Sequence, residues 1–89
     1  MKAIKTGNQF LRDLKRARKR GKDLRKAESI INTIALGGPL PAKHRPHRLK
    51  GEMKGLWECH IEPDWLLIWD DTDDAIILIR NGTHADLFE

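Results

Sequence analysis

Leu56-Trp57-Glu58-Cys59-His60-Ile61, Glu62-Pro63-Asp64 and Trp65-Leu66-Leu67-Ile68-Trp69 follow one another without a break. In the first run Leu56, Glu58 and His60 alternate with Trp57, Cys59 and Ile61, the period of a strand with two unlike faces. The third run is apolar at every position, which predicts a strand covered on both sides. Asp70-Asp71-Thr72-Asp73-Asp74 then reads as a turn and Ala75 to Ile79 as another apolar strand. A sheet therefore occupies the second half of the chain.

Upstream the periodicity changes. From Gln9, the apolar positions Phe10, Leu11, Leu14 and Ala17 recur at helical spacing, and Gly21 ends the pattern. A second helix begins near Asp23, carries Leu24, Ala27, Ile30, Ile31 and Ile34, and stops at Gly37-Gly38-Pro39. Met1 to Thr6 reads as a short edge strand. Pro39, Pro41 and Pro46 forbid helix in the connection from Leu40 to Pro46, and His47 to Lys50 reads as a short strand before Gly51. The predicted order is β-α-α-β-β-β-β: an α+β domain over residues 1–89, with an N-terminal strand and an αα-hairpin packed on a small antiparallel sheet.

The 89 residues suffice for one thin core, and 39% hydrophobic with 34% charged residues describes a globule and not a disordered chain. The net charge of +4 is unevenly spread. Residues 1–26 hold 11 Lys/Arg against Asp13 and Asp23, whereas residues 56–89 hold Arg80 against nine acids. Such a split points to a basic face for phosphates, with Lys15, Arg16 and Lys19 on the first helix and Arg48 and Lys50 in the next basic segment as docking candidates. The N-terminus carries Lys2 and Lys5 but no apolar signal region, and no apolar run approaches the ~18 residues of a membrane span. A cytoplasmic location is the expectation, with no membrane partner.

Several chemistries are excluded or disfavoured. Ser29 is the only serine and lies in the second helix, which argues against a Ser-His-Asp hydrolase. The lone Cys59 leaves no disulfide and no CxxC pair, and it points away from its neighbour His60, as an inert core thiol would. The gaps between His47, His60 and His84 match no zinc signature, and no glycine-rich phosphate loop occurs, so neither metal nor small-molecule cofactor is expected. What remains is acid–base work on a polyanion. RNA brings its own nucleophile, the 2′-hydroxyl, and needs only a base, an acid and a cation beside the phosphate. Histidine, with a reference pKa of about 6.5, serves as either acid or base, and Arg80 places a permanent cation four residues before His84.

Three runs carry a resemblance. His47-Arg48-Leu49-Lys50-Gly51, Glu58-Cys59-His60-Ile61-Glu62-Pro63-Asp64-Trp65 and Arg80-Asn81-Gly82-Thr83-His84-Ala85-Asp86-Leu87-Phe88 closely resemble the YafQ branch of RelE-type bacterial toxins, a likeness that extends over almost the whole chain. The resemblance implies a ribosome-dependent endoribonuclease that cuts mRNA in the ribosomal A site without a metal and is held inactive by a cognate antitoxin. His47, His60, Asp64 and His84 fall on the acid–base positions, and Arg80 falls on the phosphate-stabilising one. Trp65 and Phe88 match residues of the active site and the C-terminal tail, and Glu58 stands where relatives are also acidic. For Trp65 a core position and a substrate contact are equal alternatives. Phe88 is suited to stacking on a base. Two other readings stay open: a ParE-like toxin of the same fold that binds DNA gyrase without hydrolysis, and an RNA-binding module without catalysis.

Overall fold

The computed structural model describes all 89 residues and contains the expected seven elements and one more. They are β1 (Ala3–Thr6), α1 (Asn8–Lys19), α2 (Leu24–Ala35), β2 (His47–Arg48), β3 (Trp57–Glu62), β4 (Trp65–Asp71), β5 (Ala75–Gly82) and α3 (His84–Phe88). One sheet runs in the order β1-β5-β4-β3-β2. Neighbours β2 to β5 are antiparallel, as expected, but β1 lies parallel to β5, so the sheet is mixed. All four residues of β1 are exposed, so no burial pattern marked its direction.

Helix α2 has clear boundaries. The Asp23 side chain accepts from the Arg25 N–H at 3.0 Å, and Gly37 takes the left-handed φ of 102° that the end of the helix requires. The Gly38 N–H returns to the Thr33 carbonyl and the Gly37 N–H to that of Ile34. Its buried face, Ala27, Ile30, Ile31 and Ala35, meets Cys59, Ile61, Trp65, Leu67, Trp69, Ile76 and Leu78 of the sheet in one core. Leu66 and Ile68, on the other face of β4, are also fully buried, which accounts for the unbroken apolar run.

Helix α1 departs from the expected stripe. Phe10 and Ala17 are buried, but Leu11 is 50% exposed and Asp13 is buried in its place. β1 pairs with β5 only as far as Leu78, and beyond it the Asn81 N–H donates to Asp13 Oδ2 at 3.2 Å instead of to a strand. Asp13 thus closes the sheet edge where β1 ends.

The short helix α3 follows β5, where the predicted order held no further element. Thr83 caps it: its hydroxyl accepts from the Asp86 N–H at 3.1 Å, while the Thr83 N–H donates to Asp86 Oδ2 at 3.0 Å. Gly82 lets the two segments meet, since a Cβ there would lie 2.9 Å from Asp86. Arg20 donates to both Asp86 oxygens, at 2.6 and 3.2 Å, and Arg16 lies 3.5 Å from Oδ2, so α3 is fastened to α1.

Candidate active site

The sheet register gathers the histidines. On the face away from the helices, His47 of β2 pairs with Glu58 of β3, Glu58 with Ile68 of β4, and Ile68 with Arg80 of β5. His60 lies two residues along β3 from Glu58, on the same face, and pairs with Leu66, which faces Gly82. Gly82 leads through Thr83 into α3, so the chain carries His84 back to the same end of the sheet. The His60 and His84 rings stand 5.7 Å apart between centroids, tilted by 56°.

Asp64, in the β3–β4 turn, orients His84. One oxygen, Oδ1, accepts from the His84 backbone N–H at 2.9 Å and from Nδ1 at 2.7 Å. These two bonds hold the Asp64 carboxyl below the usual carboxylate range. An ionised carboxylate can only accept, so Nδ1 carries the hydrogen and Nε2 is left free to exchange a proton. His60 is placed likewise: Nδ1 donates to the Pro63 carbonyl at 3.2 Å. His47 differs, with Nδ1 2.8 Å from the Arg45 carbonyl and Nε2 3.2 Å from Glu58 Oε1. Both its nitrogens therefore face oxygen atoms, one a backbone carbonyl and the other the Glu58 carboxyl. Glu58 is 5% exposed and its second oxygen has no partner.

Other expected residues lie differently. Trp65 is 1% exposed, with Nε1 donating to Asn81 Oδ1 at 3.3 Å, so it is a core aromatic and the substrate contact is set aside. Arg80 is not a free cation: its guanidinium is held by Asp13. Arg16, expected to dock, is half-buried and tied to Asp13 and Asp86. Lys15 and Lys19 are exposed, as are Lys50 and Arg48, whose guanidinium lies 5.2 Å from the Trp57 ring centre. Phe88, 48% exposed, lines a hollow with Leu49, Lys50, Glu52, Met53 and Leu87, where the tail meets the β2–β3 connection.

Sequence reasoning missed Asp13, Asn81 and Asp86, and gave no role to His44. The His44 Nδ1 lies 2.8 Å from the His60 carbonyl oxygen, and both line a cleft of about 400 Å³ with Lys43, Arg45, Glu62 and Pro63. Thr83-His84-Ala85-Asp86 was a legible capping signal. Asp13 carried none, being one acid on a charged helix.

The family model described as "Bacterial toxin of type II toxin-antitoxin system, YafQ" matches residues 2–89. The chain belongs to the YafQ toxin family. The mRNA interferase toxin YafQ of Escherichia coli K12 is 41% identical over 86 residues, covering 96% of this chain and 94% of the relative. YafQ in the E. coli DinJ–YafQ toxin–antitoxin complex superposes with a TM-score of 0.91 at 39% identity, covering 99% of this chain and 98% of that one. A metal-bound toxin from Helicobacter pylori gives 0.92 at 37% identity, covering 99% and 100%. In this YafQ-family chain no three His, Cys, Asp or Glu side chains converge as metal ligands.

Proposed function

We propose that this protein is the toxin of a type II toxin–antitoxin system and acts as an mRNA interferase, an endoribonuclease working by acid–base catalysis. The observation that carries the catalytic reading is the Asp64–His84 pair at 2.7 Å with the His60 ring beside it. In the reaction a base removes the proton from a ribose 2′-hydroxyl, and the oxygen attacks the adjacent phosphorus. The bond from phosphorus to the 5′-oxygen breaks, and an acid protonates that oxygen. His84 and His60 each offer a free Nε2 for proton transfer, and His47 stands on the same sheet face beside Glu58. Arg80 supplies the fixed positive charge for the phosphorane-like transition state. Phe88, exposed beside this face, is suited to stacking on a base of the mRNA.

The ribosome is the proposed site of action, within the cytoplasm. Arg12, Lys15, Arg18 and Lys19 are exposed and have no acidic partner, so α1 has four cations free for ribosomal RNA phosphates. The proposed antagonist is an antitoxin encoded with the toxin, as DinJ is found complexed with E. coli YafQ. A gyrase-binding ParE-like role would leave the oriented imidazoles without a task.

The deciding experiment expresses His60→Ala/His84→Ala beside wild type and maps mRNA 5′-ends. Growth arrest and cleavage are expected from wild type only. Undiminished arrest by the folded double variant sinks the nuclease reading.

A further inference from the structure

We propose that Asp13 is the positioning residue for Arg80, fixing the plane of its guanidinium so that one edge faces the scissile phosphate. This rests on the nuclease reading and on the phosphate-stabilising role given to Arg80 within it. Asp13 occupies the buried stripe of α1, where helical spacing otherwise calls for an apolar side chain, and its side chain is 1% exposed. Accepting the Asn81 N–H at the sheet edge calls for an acceptor there, but it does not call for the two-point bond to Arg80.

The donors around Asp13 describe a clamp. Oδ2 accepts from Arg80 Nε at 2.7 Å and from the Asn81 N–H at 3.2 Å. Oδ1 accepts from Arg80 Nη2 at 3.2 Å, Gln9 Nε2 at 2.9 Å and Arg16 Nη2 at 3.2 Å. Burial pushes the Asp13 carboxyl up, but the bonds from Arg80, Gln9 and the Asn81 N–H outweigh it, and the group stays ionised. Arg80 therefore spends its Nε–Nη2 edge on a two-point bond whose geometry sets the guanidinium plane. Nη1 has no protein partner, and the side chain keeps 26% exposure. A flexible side chain is thereby turned into a fixed donor, which is what transition-state stabilisation requires. Arg16, Arg20 and Arg80 outnumber Asp13 and Asp86 in the connected cluster, so the clamp does not cancel the charge that a phosphate meets.

The test measures single-turnover cleavage of mRNA on programmed ribosomes, separating the maximal rate from the half-saturating ribosome concentration, with thermal melts beside it. Asp13→Asn is expected to lower the maximal rate about tenfold to a hundredfold, the cost of misplacing a group by an ångström, without changing half-saturation. Arg80→Lys, which keeps the charge and loses the two-point grip, is expected to match it. In an Arg80→Ala background, Asp13→Asn should cost nothing further. A wild-type rate in folded Asp13→Asn, or its full loss repeated in the Arg80→Ala background, overturns the proposal. If Asp13→Asn does not fold, Arg80→Lys decides: a wild-type rate there overturns it. Failure of wild type itself to cut RNA removes the nuclease reading along with this one, whereas equal cutting by wild type and Asp13→Asn removes only this one.

Discussion

Asp64 gives both of its bonds to a single residue, the backbone N–H and the ring of His84. The pair is largely exposed, so it adds little to folding and acts mainly by choosing the imidazole tautomer. His84→Ala is expected to slow cleavage by about 10² to 10⁴, the usual worth of a placed acid or base. Asp64→Asn keeps a hydrogen-bonding side chain and loses the ionised acceptor, so it should fall short of that, at roughly tenfold, with an unchanged denaturation midpoint. A cleavage time course with urea unfolding of each variant checks both; an Asp64→Asn enzyme at full rate would show that tautomer control is irrelevant. At this scale the sequence singled out His47, His60, Asp64 and His84 because proton chemistry restricts the residue types, and the fold sets Asp64, His60 and His84 side by side. The sequence was ambiguous for Trp65, since apolar burial and base stacking call for the same side chain.

Helix α1 shows why charge alone did not separate paired from unpaired cations. Its cations divide by angle around the axis: Arg16 and Arg20 point to Asp13 and Asp86, while Arg12, Lys15, Arg18 and Lys19 point outward. Spacing revealed the helix, but Asp86, the partner of Arg20, lies 66 positions later in the chain and only the fold brings the two together. Reversing Arg12, Lys15 and Lys19 to Glu should weaken ribosome pelleting and reduce the slope of log affinity against log salt by about one unit per lost phosphate contact. Unaltered pelleting at every salt concentration would assign that face to another partner. Asp86→Asn acts on the other side. Bonds from Arg20 and Thr83 hold the Asp86 carboxyl well below its ordinary value of 3.8. A group depressed on folding lends stability that is fully present above its unfolded pKa and lost as the pH falls through its folded one. Asp86→Asn should therefore be less stable than wild type at neutral pH, and urea midpoints should converge as the pH drops below 3.8. A gap that stayed constant into acid would mean that the ion pairs do not fasten α3.

For the molecule as a whole, the order of seven elements was legible because each strand and helix carried its own period. The parallel placement of β1 was not, since none of its four residues is buried and only β5 determines their direction. The site follows from that same sheet, and its charge stabilisation is assigned to Arg80 and its donors. Cleavage of a short RNA should accordingly persist in EDTA; loss in chelator, restored by zinc, would contradict it. One consequence of the pairing concerns a chain still being made. Ala3 finds its partner in Ala75, 72 positions later, and His84 is later still. A ribosome translating this protein must finish β5 before the first strand has anything to bond, and must then deliver the residue that Asp64 holds. A nascent product that stops short of β5 lacks both the closed sheet and that imidazole.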